Sequence, residues 1–198
     1  EPKQAARWTR ELAFALAHAH SRGVLHRDVK PANVLVKSAD DSDLADTGGE
    51  FVDVNLGNNQ PHPSPSSSGN SKLKSRGETG TPLLTDFGLA KDIESDASMT
   101  RSGFAFGTPQ YMPPEQAQAK RDKIDGRSDL WALGATMFHA LAGRIVHHAD
   151  TMTARLMAAI QNPAPSLGSV ASGMPASLVV LVDRSLAYQK ENRFADAH

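Results

Sequence analysis

Hydrophobic residues recur at helical spacing in several stretches of the chain. Near the N-terminus this spacing predicts an amphipathic helix over residues 4–22, ended by Gly23, because glycine readily adopts the left-handed conformation that follows helix C-termini. A second stretch, residues 129–142, is apolar on nearly every face, which indicates a buried central helix. Ser128 is a suitable N-cap for this helix, and Gly143 a suitable stop.

The last part of the chain is predicted to be helical as well. One helix is expected over residues 151–160, followed by an Asn-Pro pair that ends it. Another begins after Pro175 and has an apolar stripe made of Leu178, Leu181, Val182 and Leu186. The hydrophobic pattern therefore predicts a mainly helical fold.

Two apolar runs, residues 34–36 and 83–85, are too short for helices and predict short strands. The sequence between them differs in character. Residues 38–53 carry six acidic side chains, and thirteen of the twenty residues at 61–80 are Ser, Pro, Gly or Asn. Such a composition cannot bury enough apolar surface to order itself, so residues 38–80 are predicted to be a mostly disordered insertion between the strands.

Composition and charge exclude several classes of function. The chain has 198 residues and no cysteine, which excludes disulfides, thiol catalysis and thiolate metal sites. Its formal net charge of -1 gives no bulk attraction to nucleic acid or to anionic membranes. No apolar run approaches the roughly 18 residues that span a bilayer. We expect a cytoplasmic protein without a nucleic-acid partner. Because the chain opens at Glu1 and stops without a helix-ending signal, we also expect a piece of a longer protein.

Four histidines, in two close pairs, raise the question of a metal site. His18 and His20 are two positions apart on a predicted helix, so they face different directions and cannot share an ion. His147 and His148 lie in a predicted loop without carboxylates at ligand spacing. All four are predicted to be solvated surface residues.

Two clusters of polar residues adjoin the predicted strands. The stretch HRDVKPANVLV, residues 26–36, places five hydrogen-bonding side chains directly before an apolar strand: His26, Arg27, Asp28, Lys30 and Asn33. The second strand leads into an Asp-Phe-Gly sequence at residues 86–88. Either cluster alone could be a solvated turn. Their order and their combination are what indicate a functional site.

The clusters resemble the catalytic and magnesium-binding loops of protein kinases. Residues 26–33 match the family signature H-R-D-x-x-x-x-N, and residues 86–88 match D-F-G. Residues 107–115, Gly-Thr-Pro-Gln-Tyr-Met-Pro-Pro-Glu, resemble the substrate-binding segment that ends in A-P-E, with proline in place of the alanine. Residues 129–134 resemble the D-x-W-x-x-G start of the central helix, and Arg193 lies where the family has a late arginine. The chain thus resembles the bacterial, eukaryotic-type (Hanks-type) serine/threonine protein kinases.

This resemblance implies roles in phosphoryl transfer, with ATP and Mg²⁺ as cofactors and protein Ser/Thr side chains as acceptors. Asp28 would orient the acceptor hydroxyl and take its proton. Lys30 would lie over the transferring phosphate of ATP and offset the charge that develops there. Asn33 and Asp86 would supply oxygen ligands to magnesium.

The resemblance also distinguishes serine/threonine from tyrosine kinases. A lysine two positions after the catalytic aspartate, together with Gly107 and Thr108, is the serine/threonine form. Thr108 would then hydrogen-bond toward Asp28 and Lys30.

Other matched residues are expected to have structural roles. His26 would be a packing and hydrogen-bonding residue, and Asp129 a buried brace for the backbone of the catalytic loop. Glu115 and Arg193 would form a buried ion pair.

Residues 86–115 correspond to the activation segment of the family. Thr100 and Ser102 lie where related bacterial kinases carry activating phosphates, and a phosphate there could pair with Arg27. The alternative is an ordinary flexible polar loop.

The resemblance covers only part of a kinase. The sequence begins at the first helix of the large lobe, and it contains neither the G-x-G-x-x-G loop nor the V-A-I-K strand of the small lobe. The implied fold is therefore a protein-kinase-like large lobe, mainly α with short β hairpins, without the small lobe. We expect the isolated chain to have little or no activity. The alternative function is a non-catalytic, pseudokinase-like binding or scaffold module.

Overall fold

The computed structural model describes residues 1–37, 80–87 and 108–198. This part of the chain is mainly helical with one two-stranded sheet, as the sequence predicts. The elements are α1 (Pro2–His20), β1 (Val34–Lys37), β2 (Thr81–Leu84), α2 (Pro114–Ala117), α3 (Gly126–Ala142), α4 (Met152–Gln161), α5 (Leu167–Val170) and α6 (Ala176–Ser185). Short 3-10 turns cover Pro31–Asn33, Pro109–Tyr111, Arg121–Lys123 and Lys190–Asn192. Within the described ranges, no helix combines the length and the apolar character needed to cross a membrane.

Helix α3 is the centre of the fold and is buried along most of its length. It begins three residues earlier than the sequence predicts. Its N-cap is Asp125, whose carboxylate accepts a hydrogen bond from the Arg127 backbone N–H at 2.9 Å, while the Ser128 hydroxyl accepts one from the Asp125 N–H at 3.4 Å. The prediction of Ser128 as N-cap is therefore wrong, because Ser128 is the third helical residue of a capping box. The predicted stop is confirmed, since Gly143 is left-handed with a φ of 66°.

Two hydrophobic clusters form on either side of α3. One joins Trp131 and Phe138 to the C-terminal helices, and the other joins the opposite face of α3 to α1 and to the chain around β1. Helix α6 contributes a narrower stripe than the sequence predicts. Leu178 and Val182 are buried, whereas Leu181 is 39% exposed, because only positions four residues apart face α3 here.

The sheet brings the two polar clusters together. Strands β1 and β2 are antiparallel, with Val34 opposite Leu84. The residues that precede β1 therefore lie next to those that follow β2. Beyond the last strand pair, the Thr85 backbone N–H donates to the Asn33 carbonyl at 2.9 Å, which extends this contact into the polar sequences themselves.

Candidate active site

The backbone of the first polar cluster is held by Asp129, a residue in the first turn of α3 that is only 2% exposed. Its carboxylate accepts hydrogen bonds from the backbone N–H groups of His26, at 2.9 Å, and Arg27, at 2.7 Å. Arg27 has a φ of 67°, in the left-handed region that a non-glycine residue rarely adopts. Such a conformation costs on the order of 1 kcal/mol or more and persists where the surroundings enforce it. Asp129 supplies part of that enforcement.

His20, at the end of α1, contacts the same carboxylate. Its Nε2 atom is 2.7 Å from Asp129 Oδ2, and its side chain is only 16% exposed. Gly126 makes this approach possible, since a Cβ atom there would lie 2.8 Å from His20 Nδ1. The prediction of a solvated surface histidine is wrong for His20. No local pattern reveals the contact, because its two partners are 109 residues apart in sequence.

Asp28, Lys30 and Thr108 form a compact polar group. Lys30 Nζ donates to Asp28 Oδ2 at 2.6 Å and to Thr108 Oγ1 at 2.9 Å, and the Thr108 backbone N–H donates to Asp28 Oδ1 at 3.3 Å. The Lys30 and Asp28 side chains remain 23% and 28% exposed. A carboxylate that can accept a proton and an ammonium that can offset negative charge thus lie side by side and accessible to solvent.

The imidazole of His26 contacts both polar clusters. It is buried, with 1% of the residue exposed. Its Nε2–H donates to the Thr85 carbonyl at 2.8 Å, and its Nδ1 accepts from the Asp28 backbone N–H at 3.3 Å. The ring also packs against Phe87, with the ring centroids 4.7 Å apart. Both ring nitrogens are engaged, so His26 has the packing and hydrogen-bonding contacts of a structural residue.

Asn33 and Asp86 lie at the junction of the two clusters. The Asn33 amide nitrogen donates to the Asp28 carbonyl at 2.8 Å, which leaves the amide oxygen as the atom able to ligate a cation. Asp86 follows Thr85, the residue bonded to the Asn33 backbone; it is exposed and has a φ of 63°.

These two side chains suit a magnesium ion. Among residues 1–37, 80–87 and 108–198, no group of three His, Cys, Asp or Glu side chains is arranged to hold a metal. Magnesium does not need such a cage, because it prefers oxygen ligands, keeps several waters and is usually bound through one or two carboxylates plus substrate phosphates. The donor set of Asn33 and Asp86 fits that pattern.

Glu115 and Arg193 form a buried ion pair. Arg193 donates to the two carboxylate oxygens at 2.7 and 2.9 Å, and the Ser128 hydroxyl donates to Glu115 at 2.8 Å. Burial alone would raise the pKa of Glu115, but the hydrogen bonds and the charge of Arg193 outweigh it and hold that pKa below its usual range. Arg193 also lies 4.8 Å from the ring centroid of Trp131. The pair therefore ties α2 to α3 and to the end of the chain.

Several residues singled out in the sequence lie outside the described residues. Gly107, Thr100 and Ser102 are among them, as is most of the 38–80 segment. Their predicted roles stay predictions.

The family of this chain follows from its sequence match. The sequence profile of the protein kinase domain matches residues 1–55 and 73–197. The chain belongs to the protein kinase family. The unmatched interval between those ranges lies inside the segment predicted to be an insertion in the kinase sequence.

Several bacterial protein kinases are similar to this chain. It is 31% identical over 185 residues to the serine/threonine-protein kinase Pkn1 of Myxococcus xanthus, a match that covers 93% of this chain and 21% of Pkn1. It is 29% identical over 186 residues to the probable serine/threonine-protein kinase PknB of Lactococcus lactis, covering 94% and 23%. With the DNA damage-responsive serine/threonine-protein kinase RqkA of Deinococcus radiodurans it shares 31% identity over 195 residues, covering 97% and 23%.

These matches confirm the bacterial, eukaryotic-type assignment made from the sequence. They also set its extent, because the chain spans between a fifth and a quarter of the length of these relatives.

Proposed function

We propose that this chain is the catalytic large lobe of a serine/threonine protein kinase, and that the full-length protein transfers the γ-phosphate of ATP to Ser and Thr hydroxyls of protein substrates. The observation that carries the proposal is the polar group in which Lys30 contacts both Asp28 and Thr108. Membership of the protein kinase family and the similarity to bacterial serine/threonine kinases support it.

Asp28 is proposed to be the base of the reaction. Its carboxylate is partly exposed and has about four lone-pair sites, so it can accept a substrate hydroxyl proton while it also accepts bonds from Lys30 and Thr108. The hydroxyl oxygen forms the new bond to the γ-phosphorus, the bond from that phosphorus to the leaving oxygen of ADP breaks, and the hydroxyl proton moves to Asp28. A positioned base of this kind typically contributes about 10²- to 10⁴-fold in rate.

Lys30 is proposed to offset charge on the transferring phosphoryl group. Its ammonium lies 2.6 Å from the carboxylate of Asp28. The acceptor hydroxyl must lie beside that carboxylate, so the incoming phosphoryl group also comes close to Lys30. Asn33 and Asp86 are proposed to hold magnesium, which supplies charge neutralisation on the phosphates of ATP when it is bound.

The Ser/Thr preference rests on the same contacts. The Lys30–Thr108 bond at 2.9 Å couples the catalytic loop to the segment that the resemblance assigns to the substrate. We propose that Gly107 and Thr108 line the position of the acceptor residue, and that the protein acts in the cytoplasm, where ATP is supplied.

The proposal extends to regulation of the activation segment, residues 86–115. Phosphate on Thr100 or Ser102 adds a charge of roughly -1.5 to -2, and Arg27 is the proposed partner. If Thr100→Ala/Ser102→Ala protein kept full activity, this part of the proposal would fail while the catalytic part stood.

The test is the identity of the transferred group and of its acceptor. The full-length gene product is incubated with magnesium, generic protein substrates and ATP labelled at either the α- or the γ-phosphate. We expect label on serine and threonine from γ-labelled ATP only, and its loss when the magnesium is chelated. Well-folded protein that transfers no label to any acceptor would contradict the proposal and favour the non-catalytic binding module.

A further inference from the structure

Gln116 contacts the catalytic loop, and the proposed reaction assigns it no role. Its amide nitrogen donates to the backbone carbonyl of Arg27 at 3.1 Å. Gln116 lies in α2, at the end of the segment that runs from Thr108 to Gln116. Arg27 is the residue with the left-handed φ of 67°, and its N–H is held by Asp129 at 2.7 Å. The strained residue is therefore held on its N–H from α3 and on its carbonyl from α2.

The carbonyl of Arg27 belongs to the peptide group that leads into Asp28. In that planar group the carbonyl accepts from Gln116 and the Asp28 N–H donates to His26 Nδ1 at 3.3 Å. Two hydrogen bonds on opposite edges thus fix the rotation of the plane. Because this rotation sets the direction in which the Asp28 side chain leaves the backbone, it also sets where the carboxylate points.

The same segment contacts Asp28 in a second way. The Thr108 backbone N–H donates to the Asp28 carboxylate at 3.3 Å, eight residues before Gln116 donates to the peptide group behind it. The segment from Thr108 to Gln116 therefore holds both the side chain of Asp28 and the peptide that carries it.

We propose that Gln116 is a positioning residue that orients Asp28 for proton transfer through the Arg27–Asp28 peptide group. The inference rests on the proposed function, since it concerns the orientation of the proposed base. It makes the alignment of the base depend on the placement of α2, so that a displacement of the 108–116 segment misaligns Asp28.

The first test compares two nearby glutamines, Gln116 within α2 and Gln118 at its C-cap. Gln116→Met keeps the length of the side chain and removes the donor. Gln118→Met is the matched control, because Gln118 is also half-buried and donates at 3.1 Å to the Tyr188 hydroxyl, away from the catalytic loop. In the full-length protein we expect Gln116→Met to lower kcat about tenfold, the size expected for loss of one orienting hydrogen bond. The KM for ATP should not change, and Gln118→Met should match wild type in both constants.

A second variant separates orientation from general stability. Gln116→Glu places a carboxylate against the Arg27 carbonyl at neutral pH, whereas the protonated acid restores a donor at nearly the same position. The ratio of kcat for Gln116→Glu to kcat for Gln116→Met should therefore rise as the pH falls from about 8 to about 6, because a carboxyl beside a carbonyl titrates above its ordinary value. A ratio that stays constant over this range would overturn the positioning role.

A readout independent of activity keeps the inference distinct from the proposed function. Amide hydrogen exchange is measured for the peptide containing residues 26–29, in wild type and in both methionine variants. We expect faster exchange in Gln116→Met only. If wild type transfers no phosphate but exchange changes in this way, the proposed function fails and the positioning contact stands. If wild type is active and Gln116→Met changes either kcat or exchange without the other, the positioning role is overturned and the proposed function survives.

Discussion

Replacing Arg193 with methionine leaves the Glu115 carboxylate buried without its cation. The two hydrogen bonds that Glu115 loses are short, at 2.7 and 2.9 Å, and neither side chain has solvent to replace them, since Arg193 is 0% and Glu115 9% exposed. Arg193 also donates to three backbone carbonyls, which lose these bonds as well. Breaking a buried pair by removing one partner typically costs about 3–5 kcal/mol, because an uncompensated charge remains. We expect Arg193→Met to lower the free energy of unfolding by this amount at neutral pH.

The pH dependence of this loss has a definite sign. In the wild type the pKa of Glu115 lies below its usual value of 4.5, so the pair stabilises the fold above that pH and this stability is lost as the pH falls through the lowered pKa. In Arg193→Met the cation is gone and burial alone acts, which raises the pKa of Glu115. The carboxyl is then protonated more readily in the variant, so the difference between the two proteins should shrink as the pH falls toward about 4.5.

Urea unfolding followed by tryptophan fluorescence measures both effects, because Trp131, one of the two tryptophans, is buried and lies beside Arg193. Arg10→Met is the control. It removes an exposed partner of Glu11, with Arg10 66% exposed, and should cost no more than about 1 kcal/mol. A loss in Arg193→Met no larger than in this control, or one that does not depend on pH, would refute the reasoning.

Three further outcomes are expected. Asp129→Ala removes the acceptor of two backbone N–H groups in the catalytic loop. In kinase assays it should lower kcat by more than the fraction of protein unfolded at the assay temperature, measured in thermal melts, accounts for. Partial burial would raise the pKa of Asp125, but hydrogen bonds from Arg127 and Lys190 lower it to about 2. The ionised carboxylate therefore stabilises the fold above pH 3.8, and this stability is lost as the pH falls through about 2. Asp125→Asn should flatten the acid limb of a plot of stability against pH, by under about 1 kcal/mol because the Asp125 side chain is partly exposed. Burial lowers the pKa of both His139 and His147, so stability should decline as the pH falls below 6.5, and His139→Gln should reduce that slope in thermal melts.

The elements of the fold could largely be predicted from local patterns. Helices α1, α3, α4 and α6 and both strands follow from hydrophobic spacing and from residues such as Gly143 that end helices. The start of α3 could not, because Asp125 and Ser128 are both good cap residues three positions apart and the capping box uses both. The four-residue helix α5 has too few positions to show a period.

The candidate site divides in the same way. Residue types and their order identify Asp28, Lys30 and Asn33, since these lie within one motif whose spacing is visible in the sequence. The contacts of His20 with Asp129 and of Gln116 with Arg27 join residues 109 and 89 positions apart. A histidine at a helix end and a glutamine in a short helix have many unremarkable uses, so only the packing of α1 and α2 against the loop reveals these two.

The central claim is that Asp28 is the base of a phosphoryl transfer, and the rate of transfer by Asp28→Asn tests it most directly. The full-length protein is compared with this variant and with Asp122→Asn. The side chain of Asp122 is 76% exposed and has no role in the proposed reaction. We expect Asp28→Asn to lose about 10²- to 10⁴-fold in kcat with its fold intact, and Asp122→Asn to retain wild-type activity. An Asp28→Asn protein that transfers phosphate as fast as wild type would contradict the account.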